Sequence, residues 1–215
     1  MTEQEWLACD DSQKLLEFAH GTIQTRKLKL FALACCRSVW HLLNDSRSRN
    51  AAEVAEQFVD GGSSLEVLIA SIHQADLAFG EAELESQVAN ARLAIYFATD
   101  LASKPTPTLG AVQDSAAAAL QALTASESAG RDEMKLQASL LRHIFGNPFK
   151  PYPAPPSWRS SVIQLAESLY NGQDCSFALH DALLEAGHAE LAEHFSKEQW
   201  HPKGCWVVDQ ILGKE

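Results

Sequence analysis

Six Cys and His side chains are the candidates for chemistry: Cys35, Cys36 and His41 near the front, and His194, His201 and Cys205 near the end. Thiolate and imidazole are the ligands of tetrahedral zinc, which takes four of them, usually as two closely spaced pairs. Adjacent residues on a helix point about 100° apart, so Cys35 and Cys36 do not face one ion together. His41 lies off the faces of both. His201 and Cys205 stand at same-face helical spacing, but Pro202 and Gly204 interrupt that stretch. As ordinary residues, the cysteines fill a core as small hydrophobes. A Cys-His nucleophile, such as Cys205 with His201 or His194, needs a depressed thiol pKa and a third, orienting group. The sequence therefore predicts no resident cofactor. Its alternative is zinc, held by residues among Cys35, Cys36, His41, His201 and Cys205.

Other chemistry is sparse. Glu53 with Glu56, and Glu81, Glu83 and Glu85, read as solvated helix faces. No glycine-rich phosphate loop, nucleophile elbow or dinucleotide fingerprint is present. Gly61-Gly62-Ser63-Ser64 reads as a helix break and cap, not an anion site.

The elements that must position these residues are helical. Ala, Leu, Glu and Gln dominate while Val, Ile and Thr are scattered, which favours helix outside the loops. Thr2 with Glu5 makes a capping box for a first short helix through Cys9. A second runs from Asp11 or Ser12 to about His20, stopped by Gly21. Thr25 to Leu43 is the strongest helix. Leu28, Phe31, Cys35, Val39 and Leu42 form one stripe and Leu30, Leu33, Cys36, Trp40 and Leu43 a second, so it is placed at the centre. A helix over 47–59 follows, then a long helical region to about Ser103 with Gly80 as its break point. Lys104-Pro105-Thr106-Pro107 punctuates the chain. The stretch 108–129 is alanine-rich, and 131–145 is amphipathic through Met134, Leu136, Leu140, Leu141 and Ile144. Five prolines between Gly146 and Pro156 favour an extended path. Helices over 158–170, 177–186, 189–195 and the final 204–212 complete the chain. The expected fold is all-α: an irregular bundle of about eight to ten helices with a proline-rich extended loop near 146–157. It is read as a single domain over 1–215, with N-terminal helices to 60, an alanine-rich middle over 61–130, and C-terminal helices from 131 sharing one core.

The net charge of −11 disfavours nucleic acid and anionic membranes as partners. Charge is uneven, since Arg26, Lys27, Lys29, Arg37, Arg47 and Arg49 face only Asp45 between Gly21 and Asn50. Internal ion pairs are the expected use of these cations. The start, Met1-Thr2-Glu3-Gln4-Glu5-Trp6, lacks the features of a secretory signal, and no apolar run approaches the roughly 20 residues that span a bilayer. Five cysteines, an odd number with two adjacent, fit reduced thiols and a cytoplasmic location.

Two groups of strings carry a resemblance. Glu5-Trp6-Leu7-Ala8-Cys9-Asp10, Arg26-Lys27-Leu28-Lys29-Leu30-Phe31-Ala32, Cys35-Cys36-Arg37 and Trp40-His41-Leu42-Leu43 stand at the front. Ile144-Phe145-Gly146-Asn147-Pro148-Phe149, Asp181-Ala182-Leu183-Leu184-Glu185-Ala186-Gly187, Gly204-Cys205-Trp206-Val207-Val208-Asp209 and Leu212-Gly213-Lys214-Glu215 stand at the end. Together they resemble a family of hypothetical proteins abundant in planctomycete genomes, over about the first 60 and last 75 residues. The family brings no activity with it. It often has cysteines at the positions of Leu33 and Phe195, so if those ligate metal in relatives, this chain lacks half the set.

The function expected from all this is a non-enzymatic helical module that binds another protein, through Phe149, Tyr152 and Trp158 of the aromatic-bearing loop. A metal- or thiol-dependent enzyme built on the Cys/His residues is the alternative. It would need those side chains within about 4 Å of one another around a concave pocket.

Overall fold

The computed structural model describes residues 1–215 except 20, 22, 81–85, 124–126, 198–199 and 215. No strand occurs among the described residues, and the chain divides into two compact units, Met1–Arg142 and His143–Glu215. Twelve α-helices are present among those residues, against the eight to ten expected. The long helical region to Ser103 is two helices, Leu65–Gly80 and Ser86–Ser103, and the short helices at both ends each count as separate elements.

Unit 1 contains α1 (Glu3–Ala8), α2 (Ser12–Ala19), α3 (Thr25–Ser38), α4 (Ser46–Val59), α5 (Leu65–Gly80), α6 (Ser86–Ser103), α7 (Leu109–Leu123) and most of α8 (Glu127–Phe145). The capping box at Thr2 forms: its hydroxyl accepts from the Glu5 N–H at 3.3 Å, and the Glu5 carboxylate accepts from the Thr2 N–H at 2.7 Å. α3 is the central element, burying every residue from Leu30 to Cys36 and packing on α4, α6 and α7. It ends at Ser38 rather than Leu43, and Trp40–Leu42 form a 3₁₀ turn. The Ser38 hydroxyl lies 2.8 Å from the Cys35 carbonyl, the side-chain competition that closes helices early.

Three of the basic residues in this region find internal acids. Arg26 pairs with Asp60 at 2.9 Å, Arg37 with Glu56 at 2.7 Å, and Arg47 with Asp45 at 2.9 Å. Glu56 is therefore a buried ion-pair partner, 8% exposed, and not part of a solvated face. The alanine-rich α7 buries Val112, Ser115, Ala116, Ala118, Ala119 and Ala122 along α6 and α3. Small side chains allow this close approach, and the Ser115 hydroxyl donates across it to the Ala94 carbonyl at 3.2 Å. On α8 the buried face includes Glu133 and Gln137, while Met134 and Leu136 are more than a third exposed. Gln137 donates to the Ala116 carbonyl at 2.9 Å and to Glu133 at 3.0 Å, and accepts from Ser12 at 3.2 Å. Every member of this polar chain is satisfied, the condition for keeping it buried.

Unit 2 contains α9 (Ser160–Tyr170), α10 (Ser176–Glu185), α11 (Ala189–Lys197) and α12 (Trp206–Leu212) after the end of α8. α10 packs on both α9 and α11, and α12 returns to α9. Leu179, Leu183, Leu191, Phe195, Val207 and Ile211 are among its core residues. Residues 146–159 carry no helix, and α9 begins at Ser160, two residues later than its expected start at Trp158. Gly146, at φ +74°, closes α8 with its Cα against Trp206; a Cβ there would sit 3.2 Å from the indole ring. No helix among the described residues is long and apolar enough to cross a membrane.

Candidate metal centre

α11 turns Leu191, Ala192 and Phe195 inward, which sets His194 at the edge of that face, half-buried. The link to α12 then carries His201, the buried Pro202 and Gly204 at φ +88° before Cys205. Cys205 is the N-cap residue of α12 and is 1% exposed. His143, in the last turn of α8, is 6% exposed. These four side chains converge, with one ligand atom from each lying within 4.8 Å of all the others.

The contacts are close. His194 Nε2 lies 3.2 Å from Cys205 Sγ, and His143 Nε2 lies 3.2 Å from His201 Nδ1. The His143 and His194 ring centres are 4.4 Å apart. Aromatic rings border the group: Phe195 sits 4.7 Å from His201, and Trp206 presents an edge to His194 at 5.9 Å. Burial, then the neighbouring imidazoles, pushes His143 down to about 2; burial and His201 push His194 down to about 3. Both rings are thus neutral at physiological pH, and neutral imidazole is the form that donates a lone pair to a metal.

The donor set suits one class of ion. Three nitrogens and one sulfur, with no carboxylate, favour zinc or another thiophilic transition metal over magnesium or calcium. With Zn–N near 2.0–2.1 Å and Zn–S near 2.3 Å, the edges of a tetrahedron come to about 3.3–3.6 Å. Two of the contacts are already at 3.2 Å, and a separation at the 4.8 Å limit needs to close by about 1.2–1.5 Å.

Among the described residues no other cluster of three or more His, Cys, Asp or Glu groups is arranged to hold an ion. His201 and Cys205 come together as ligand candidates; Cys35, Cys36 and His41, all in unit 1, form no such cluster. Cys35 and Cys36 are completely buried on α3, and Cys36 Sγ donates to the Ala32 carbonyl at 3.4 Å. Burial pushes both thiols up, Cys36 to about 12, so they are inert core thiols. His41 is exposed on the 3₁₀ turn. Glu81, Glu83 and Glu85 lie outside the described residues.

Of the three loop aromatics, Phe149 is 39% exposed, while Tyr152 and Trp158 pack against the unit 2 core. The Tyr152 hydroxyl is 2.9 Å from His188 Nδ1, the Trp158 ring is 4.9 Å from the His188 ring, and the Gln210 amide donates to the Tyr152 carbonyl at 2.7 Å. Leu33 is buried in unit 1, and Phe195 stands beside the histidines, so the four side chains come together without a cysteine at either position. His143 was not singled out from sequence. A histidine closing an apolar helix, more than fifty residues before its partners, carries no local signal. The repeated His and Cys within 194–205 was the available clue.

No known protein family, curated protein or solved structure matches this chain.

Proposed function

We propose that the protein is a zinc-binding helical module in which His143, His194, His201 and Cys205 hold one structural Zn²⁺ in the C-terminal unit. The observation that carries this is the convergence of three imidazoles and a thiol, all within 4.8 Å, beside a core otherwise built of Leu, Val, Ala, Ile and Phe195. Within the group the side chains already pair at hydrogen-bond distance, His194 with Cys205 and His143 with His201. One metal ion would take a lone pair from all four at once.

Four protein ligands complete a tetrahedral shell, which is the pattern of structural sites; catalytic zinc keeps a position for water or substrate. The reading is accordingly a non-enzymatic one, in which the ion fixes the end of α8, α11 and the start of α12 so that the unit presents a defined surface. Partner recognition falls to exposed side chains such as Phe149, with Tyr152 and Trp158 anchoring the proline-rich segment beneath it. Metal analysis of protein purified without chelator tests the proposal. One zinc per chain is the expected result, and a chain that carries no metal and takes up none on titration overturns it.

A further inference from the structure

Unit 1 has a cavity of about 230 Å³ that belongs to no part of the metal centre. Ile72 and Ala75 of α5 and Leu93, Ile95 and Tyr96 of α6 give it a largely apolar wall. Arg92 is the one cation in that wall, and it is 9% exposed. Its Nη1 donates to the Ala78 carbonyl at 2.6 Å, while its Nε is buried with no hydrogen-bond partner. Asp45 senses its charge but is engaged elsewhere: its carboxylate grips Arg47 at 2.9 Å and caps the first turn of α4. Asp76 also lines the cavity, from the solvent side of α5, and forms no ion pair with Arg92 among the described contacts.

A guanidinium held this deep with one carbonyl as partner is costly, because burying a charge is tolerated when it is paired and fully hydrogen-bonded. Beside it lies empty apolar volume equal to about eight water-sized groups at ~30 Å³ each. Pairing the charge and filling the volume call for one molecule with an anionic head and an apolar body. Arg92 alone can pair one negative charge, and with Asp76 in the same wall a phosphate dianion is disfavoured.

We propose that this cavity binds a small monocarboxylate with a short aliphatic or aryl tail. Its carboxylate meets the Arg92 guanidinium, and its tail packs on Ile72, Ala75 and Leu93. Guanidinium and carboxylate are matched in geometry, and the apolar wall excludes competing water.

The test is calorimetric titration of the full-length protein with hexanoate and, separately, with hexanol. Saturable one-to-one binding of hexanoate is expected, with hexanol weaker by about 10- to 100-fold, the range for losing a charge-assisted hydrogen bond. Arg92→Met should lose a similar factor. Ala75→Trp, which fills the cavity and leaves Arg92 in place, should abolish binding without changing the helical circular dichroism; it decides the matter if Arg92→Met fails to fold. The proposal is overturned if hexanoate does not bind the wild-type chain, if hexanol binds as tightly, or if Ala75→Trp or a folded Arg92→Met binds hexanoate unchanged.

Discussion

Replacing Cys205 by alanine separates the metal from the packing. The thiol is 1% exposed and lies 3.2 Å from His194 Nε2, so in the absence of metal its loss removes one buried sulfur and that contact. That costs about 1–2 kcal/mol. With zinc the comparison changes. The wild-type donors need to close by about 1.2–1.5 Å at most to reach tetrahedral edges, so little binding energy is spent on rearrangement. At free zinc a thousandfold above Kd, the gain is about 4.1 kcal/mol. At about 4–8 °C per kcal/mol for a domain of this size, the unit 2 transition rises by about 16–30 °C. Loss of a direct ligand weakens zinc by at least about 100-fold, beyond the 10–100-fold seen for residues behind the ligands. The same zinc concentration then adds only about 1.4 kcal/mol, or about 6–11 °C. Scanning calorimetry in chelator and in buffered zinc should therefore show the gap between the two melts widening by about 11–22 °C when zinc is added. Cobalt(II) in place of zinc supplies an independent signal, with thiolate-to-cobalt charge transfer in the wild type and none in Cys205→Ala. Equal zinc-induced shifts in the two proteins would refute the ligand assignment, and no shift in the wild type would refute the site.

The other expectations concern the packing on which the site and cavity depend. Burial raises the Glu133 carboxyl, so the native state holds its proton more tightly than the unfolded chain does. Its contribution is complete below the unfolded value near 4.5 and is lost as pH rises through the native one, with a slope of at most about 1.4 kcal/mol per pH unit. Glu133→Gln keeps acceptors for Ser38 and Gln137, and should flatten that fall in denaturant melts between pH 5 and 8; parallel profiles would contradict it. Arg37→Met strands the nearly buried Glu56 carboxylate and also removes a guanidinium 4.0 Å from the Trp40 ring, for a loss of about 1–3 kcal/mol. Arg37→Met with Glu56→Leu should recover most of that loss, which a double-mutant cycle measures. Gly146→Ala forces a Cβ into a left-handed backbone 3.2 Å from Trp206, and should cost about 1–3 kcal/mol in the unit 2 melt.

Much of the helical framework was legible because its signals are local. Thr2 with Glu5 is a capping box written in four residues, and the two stripes on α3 need nothing but the helical period. What escaped depends on tertiary partners. Met134 and Leu136 read as a buried face, yet Glu133 and Gln137 lie inside, because Ser12, Ser38 and the Ala116 carbonyl wait there to satisfy them. The division at Arg142 and His143 falls within a continuous amphipathic helix, so no linker composition marks it. Pro202 and Gly204 argued against pairing His201 with Cys205 on one helix, and correctly, since that stretch is not helical. The loop they shape is what directs the two side chains together, a geometry that helical spacing rules do not describe.

The four ligands are unequally distant along the chain. His194 and Cys205 are separated by 11 positions, with His201 between them, whereas His143 stands 58 positions before His201. Closing the longer loop costs about 1.5 kcal/mol more in chain entropy than closing the shorter. If the proposed zinc site forms, an ion meeting the unfolded chain is captured first by the local trio of His194, His201 and Cys205, a tridentate clasp, and His143 locks last.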